Sequence, residues 1–224
     1  MKEQIHTIPI NDAMEHAGEC PFCYIEKRAE ERMMDFVLGA GASYMESDIR
    51  SQTDQEGFCR EHFRKMFRYG NALGNAWILK THMQRTIEQF NNETKGFKPQ
   101  SAKKGLFRKK TAEEETENRV AAWIKKRENS CYICDTLEKS FRNYLDTFFT
   151  LYKKDEAFKK QVLEGQGFCL THFADLLTGA DERLSDTELA EFYEKILPLE
   201  KENLERVYED TAWFIEKYVL KDQD

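Results

Sequence analysis

At 224 residues the chain has room for one large domain or for two of about 100 residues each. Its net charge of -7 weighs against general binding to nucleic acid or anionic membranes, and 33% charged residues with a mean hydropathy of -0.74 indicate a large solvated surface. The hydrophobic fraction is only 40%, so two small halves would have modest cores and would gain from metal cross-links.

In chain order, the polar stretch Met1 to Ile10 lacks a signal-peptide core. No apolar run approaches the ~20 residues that cross a bilayer. The expected location is the cytoplasm, where thiols stay reduced and clustered cysteines bind metal more often than they form disulfides. A short helix leads to Cys20-Pro21-Phe22-Cys23, and a second helix and a connector follow. Gly57-Phe58-Cys59-Arg60-Glu61-His62-Phe63 then opens another helix. Ala76, Leu79, Met83, Ile87 and Phe90 step by three or four and mark one apolar stripe of a long helix. Lys95 to Lys110 contains Gly, Pro, Ser and seven basic residues with no acidic one, and reads as a mobile linker. Acidic residues at Glu113 to Glu117 suit the start of a new helix.

The same order then repeats. Cys131-Tyr132-Ile133-Cys134 is followed by Gly167-Phe168-Cys169-Leu170-Thr171-His172-Phe173. Cys20 aligns with Cys131 at an offset of 111, and Cys59 with Cys169 at 110; Asp35 aligns with Asp146 in the same register. Ser185 and Glu188 fit a capping box for a helix that Pro198 should end or kink. Leu204, Val207, Thr211, Phe214 and Tyr218 form a second apolar stripe. No alternating run with hairpin signals is present. The expected fold is mainly α, with two pseudo-repeated helical halves, residues 1–95 and 113–224, joined by a basic linker at 96–112.

All six cysteines fall in this repeated pattern. Each copy offers three thiolates and one imidazole, a tetrahedral set for zinc. The CxxC sulfurs converge when the backbone turns tightly, and the i, i+3 spacing of CxxH places both side chains on one helix face. A cysteine in the first helical turn also has free N–H groups pointing at its thiolate. The candidate ligands are Cys20, Cys23, Cys59 and His62 for the first site, and Cys131, Cys134, Cys169 and His172 for the second. Each half is expected to close its own site; sharing of ligands between halves is the more entangled arrangement. His6, His16 and His82 lack histidine counterparts, and His16 reads as a backup ligand at best, and first as a surface or capping residue. Two zinc ions per chain are expected, with an iron–sulfur cluster as the alternative.

Four protein ligands leave no open coordination position, so the sites read as structural and the protein as a non-enzymatic scaffold or interaction module. No nucleophile elbow, P-loop or dinucleotide fingerprint is present. A metal- or redox-responsive protein is the alternative. Nucleic-acid contact through 95–110 is a third reading. Partners are expected to be protein, including a second copy of the chain through the long helices, and no membrane. The paired CPxC…GFCxxHF arrangement, carried by Cys20, Cys23, Cys59, His62, Cys131, Cys134, Cys169 and His172, resembles a family of uncharacterised bacterial cytosolic proteins of unknown function. That resemblance implies a helical protein and no established activity.

Overall fold

Local sequence signals set the helix starts. Pro21 occupies the first position of α2 (Pro21–Leu38), where its missing N–H and fixed φ are favourable. Asn71 caps α5 (Ala72–Thr94) by accepting from the Gly74 N–H, and its amide donates to the Leu38 carbonyl at 2.8 Å. Asn118 caps α6 (Arg119–Glu128) and Asp155 caps α8 (Glu156–Leu163) in the same way. The Ser185–Glu188 box opens α10 (Asp186–Lys221): one Glu188 oxygen accepts from both the Ser185 N–H and hydroxyl, at 2.9 and 2.8 Å.

The remaining helices among the described residues are α1 (Thr7–His16), α3 (Ser47–Glu56), α4 (Arg60–Arg68), α7 (Tyr132–Lys154) and α9 (Leu170–Arg183), with a 3-10 turn at Ser43–Met45. The computed structural model describes residues 7–16, 18–98 and 118–221; among them there is no strand. The fold is all helical, as the sequence implies. The element order also repeats: a short helix, a CxxC helix, a connecting helix, a CxxH helix and a long helix run as α1 to α5 and again as α6 to α10. Most of the basic linker and the expected helix start at Glu113 to Glu117 lie outside the described residues.

Two compact units emerge, and each draws on both sequence halves. The first comprises residues 1–29 and 138–224, the second residues 30–137. Their boundaries therefore fall inside α2 and α7. The core of the first unit gathers Ile10, Phe22, Ile25, Phe148, Phe149, Leu176, Phe192 and Ile196. The core of the second gathers Met34, Val37, Leu38, Phe58, Met66, Ile78 and Ile133. Each cluster includes a CxxC cysteine, Cys20 or Cys131.

Pro198 does not end its helix. α10 continues through it to Lys221. Proline removes one backbone bond, here to the Glu194 carbonyl, and both Pro198 and Glu194 are exposed, so the loss falls on the solvent side of the helix.

Candidate metal centres

The eight cysteine and histidine candidates gather into two clusters. Cys20, Cys23, Cys169 and His172 form one, and Cys59, His62, Cys131 and Cys134 form the other, with their ligand atoms within 4.8 Å of one another. This corrects the expectation that each sequence half closes its own site. The CxxC of one half meets the CxxH of the other.

Helix packing explains the exchange. In the second unit α4 lies along the later turns of α2. Glu30 bonds to His62 and Lys65, the Asp35 carboxylate accepts from the Tyr69 hydroxyl at 2.7 Å, and Asn71 reaches the Leu38 carbonyl. Glu30 is seven residues past Cys23, about 10 Å along a helix that rises 1.5 Å per residue. His62 is thus anchored well down α2 from Cys20–Cys23, and the CxxC beside it is that of α7. In the first unit Arg183, at the end of α9, pairs with Asp146 fifteen residues past Cys131. Gly179 of α9 approaches so closely that a Cβ there would sit 3.0 Å from the Phe149 ring. Asp35 and Asp146, which align in the repeat, thus serve equivalent anchoring roles.

The spacing fits a tetrahedral ion. In the first cluster the Nδ1 of His172 lies 3.4 Å from Cys20 Sγ, 3.4 Å from Cys23 Sγ and 3.2 Å from Cys169 Sγ; Cys23 and Cys169 sulfurs are 3.6 Å apart. In the second cluster His62 Nδ1 lies 3.2, 3.3 and 3.4 Å from the sulfurs of Cys59, Cys131 and Cys134, and Cys59 and Cys134 sulfurs are 3.8 Å apart. A tetrahedron with zinc–sulfur arms of about 2.3 Å has sulfur–sulfur edges of about 3.8 Å. These separations are far beyond a disulfide bond of about 2.05 Å, and all six thiols are free.

Two glutamates complete the sites, and sequence reading missed both. His62 Nε2 is 3.0 Å from Glu30, and His172 Nε2 is 3.1 Å from Glu26. With Nε2–H held by a carboxylate, Nδ1 is left as the ligand atom, an arrangement that fixes the tautomer and raises ligand basicity. Both imidazoles are buried. Phe22 and Phe141 flank His172, with ring centroids at 5.9 and 5.3 Å.

Packing three sulfurs together opposes ionising all of them. Burial works against the Cys20 thiolate, but the His172 side chain and backbone donors outweigh it and bring its pKa down to about 7. Burial together with the Cys169 and Cys20 sulfurs pushes Cys23 up to about 12. The second cluster behaves alike. Burial opposes the Cys59 thiolate, yet N–H groups of the first turn of α4 and the Cys134 side chain lower its pKa, whereas burial and the Cys131 sulfur raise that of Cys134. Burial lowers the pKa of His62 despite Glu30; at His172 the Cys20 and Glu26 interactions override burial and raise it to about 10. A bound divalent cation is what removes such crowding, because it deprotonates coordinating thiols outright.

The GFC turns are shaped by glycine. Gly57 has φ 68°, ψ -156°, a region open essentially to glycine alone, and a Cβ there would lie 2.4 Å from His82 Cε1. Gly167 has φ 74°, and its Cβ would lie 2.8 Å from the Glu200 carboxylate, which accepts from the Phe168 N–H at 2.9 Å. His82 and Glu200 therefore brace the two turns from the long helices. His16 bonds to the Asp12 carbonyl on the surface and joins neither cluster.

The family described as "Family of unknown function (DUF6062)" matches residues 1–224. The chain belongs to this family. Among curated proteins and among solved structures, none matches it. Family membership brings no activity with it, so the chemistry of the two clusters has to carry the functional reading. No helix among the described residues is long and apolar enough to cross a membrane.

Proposed function

We propose that this protein is a zinc-binding helical interaction module, non-enzymatic and cytoplasmic, with two structural sites of three thiolates and one imidazole each. The observation that carries the reading is the closure of each cluster: three Sγ and one Nδ1 at tetrahedral-edge spacing, with the far imidazole nitrogen committed to a glutamate. A closed set of four protein ligands offers substrate no coordination position. What it supplies is a cross-link, about 10–16 kcal/mol of apparent stabilisation per structural zinc in small domains. Site Cys59–His62–Cys131–Cys134 ties the start of α4 to the start of α7, and site Cys20–Cys23–Cys169–His172 ties the start of α2 to the start of α9.

Elemental analysis and an absorption spectrum of protein purified without added metal test this. Two zinc per chain and no visible colour are expected. Iron with sulfide and a brown colour would move the reading to an iron–sulfur protein, and metal-free protein with six reactive thiols would overturn it. A metal- or redox-responsive role is the second reading. It is favoured by one observation: Cys23 and Cys134, one sulfur of each cluster, are exposed. Oxidation of such a thiolate releases the ion it holds, so zinc release by mild peroxide, reversed by reductant, is the expected signature of that role. Nucleic-acid contact through residues 95–110 is tested by deleting them and measuring binding.

A further inference from the structure

The second unit contains a groove of about 1130 Å³ walled by α4, α5 and α6. Phe67, Leu79, Met83, Ile87, Phe90 and Ile124 line it, each between 38% and 83% exposed. The α5 stripe visible in the sequence is therefore the wall of a groove. Arg60, Arg64 and Arg68 stand along α4 at successive i, i+4 positions, and Arg127 projects from α6, held by Gln89 and Thr86. Four arginines against two glutamates, Glu56 and Glu128, give the lining a positive balance. The metal cluster of this unit borders the groove directly, because Gly57, Phe58 and Cys59 are part of its lining.

A second surface with no partner among the described residues lies on α10. Past Glu200, the last residue described as buried in that helix, Leu204, Val207, Tyr208, Phe214, Ile215 and Tyr218 are 48% to 74% exposed. At 3.6 residues per turn they fall within about a third of the helix circumference and so share one face. Contiguous apolar faces of this kind mark interaction sites. The apolar face itself carries no charge; its flanks and back hold the five acidic and three basic side chains of residues 201–219, which leave this segment net negative where the groove lining is net positive. The lengths also agree: Leu204 to Tyr218 covers about 21 Å of helix, and Leu79 to Phe90 about 17 Å.

We propose that the groove of one copy receives the α10 face, Leu204 to Tyr218, of a second copy, and that the exchange is reciprocal. This deepens, and rests on, the reading of the protein as an interaction module. A two-fold axis relating the copies lets each supply one groove and one helix, so the assembly closes as a dimer. Stable homodimers bury about 2,000 Å² or more, and two reciprocal junctions share that area between them. The metal cluster beside the groove, by fixing the starts of α4 and α7, holds the wall against which the partner helix packs.

The test is the mass of the full chain by light scattering and sedimentation, at several concentrations, for the native protein and for four variants. Met83→Glu and Phe67→Glu place a charge in the groove at side chains 59% and 83% exposed, so the core is spared. Phe214→Glu and Tyr218→Glu do the same on α10, at 56% and 62%. The native chain is expected as a dimer, and each variant as a monomer with unchanged helicity. An equimolar mixture of a groove variant with an α10 variant is expected to regain a dimer, because one intact junction remains between the unlike copies. A native monomer overturns the proposal, as does a groove variant that stays dimeric. Failure of complementation also overturns it, since pairing of α10 with α10 predicts that result. Metal content of the same samples separates the two readings: a monomer with two zinc per chain removes the self-exchange and leaves the zinc module standing.

Discussion

Because the two clusters exchange their CxxC and CxxH motifs, paired substitutions distinguish the arrangement that the structure shows from one in which each half closes its own site. Cys23 and Cys169 sulfurs are 3.6 Å apart in one cluster, whereas Cys59 belongs to the other. The variant Cys23→Ser/Cys169→Ser therefore damages one site twice, and Cys23→Ser/Cys59→Ser damages both sites once. A structural zinc contributes about 10–16 kcal/mol of apparent stability, so an even division gives roughly 2.5–4 kcal/mol per ligand. That corresponds to a weakening of roughly 60- to 700-fold for the first ligand lost. A second loss at the same site adds little to the stability deficit, because the ion is already gone, while losses at separate sites add. After dialysis against a weak chelator, the Cys23/Cys169 variant is expected to retain one zinc per chain by elemental analysis. The Cys23/Cys59 variant is expected to retain none, and to melt at the lower temperature. If the Cys23/Cys169 variant loses both ions while the Cys23/Cys59 variant keeps one, the crossed pairing is wrong.

The glutamates beside the imidazoles give a milder perturbation. Glu26→Gln and Glu30→Gln are each expected to weaken one ion by 10- to 100-fold and to leave the other untouched, as read by chelator competition. Gly57→Ala forces a side chain into a glycine-only conformation, at a cost of about 1–3 kcal/mol, and drives its Cβ into the His82 ring; urea denaturation should show at least that loss, with His82→Ala relieving only the collision. Glu200→Ala leaves the Phe168 N–H without its acceptor in a buried site, for an expected loss of about 1–3 kcal/mol. Glu200→Gln keeps an acceptor there. Burial raises the Glu200 carboxyl above its ordinary range, so the stability it contributes is present at acidic pH and is lost as pH rises through that raised value. Glutamine, neutral throughout, removes this loss, so as pH rises from the ordinary carboxylate range stability should fall less steeply in the variant than in the native chain.

Much of the fold was legible because the repeat is written in residues with strong local meaning. The CxxC and CxxH spacings, the Ser185–Glu188 box and the stripes on α5 and α10 each specify local structure, and each appears where expected. The pairing of motifs was not legible, because ligand spacing constrains what lies within a few residues and says nothing about which distant motif completes the site. That choice is made by contacts along α2 and α7, such as Tyr69 with Asp35 and Arg183 with Asp146, which carry no motif. The apolar stripes misled in a different way. Periodicity shows that a helix has an apolar face, and it does not show that the chain itself covers that face; Met83 and Phe214 are both more than half exposed.

The two glutamates were missed for a reason built into the comparison of the halves. Recurrence between copies sets His62 and His172 apart from the other histidines, and Glu26 and Glu30 do not recur. In register with the CxxC, Glu26 aligns with Leu137 and Glu30 with Phe141. Each site thus receives one carboxylate and one apolar side chain from two equivalent positions, in opposite order. His172 meets Glu26 on the helix of its own CxxC and has Phe141 against its ring. His62 meets Glu30 from α2, while Leu137 packs into the apolar cluster of that unit. An imidazole whose Nδ1 faces three sulfurs needs a single acceptor at Nε2, and a second carboxylate would add an uncompensated charge beside three thiolates. One acid per site, drawn from either of two positions, satisfies that requirement. Both acids lie on α2 and neither on α7, so the two repeats differ in chemistry at these two positions although their cysteine and histidine pattern is the same.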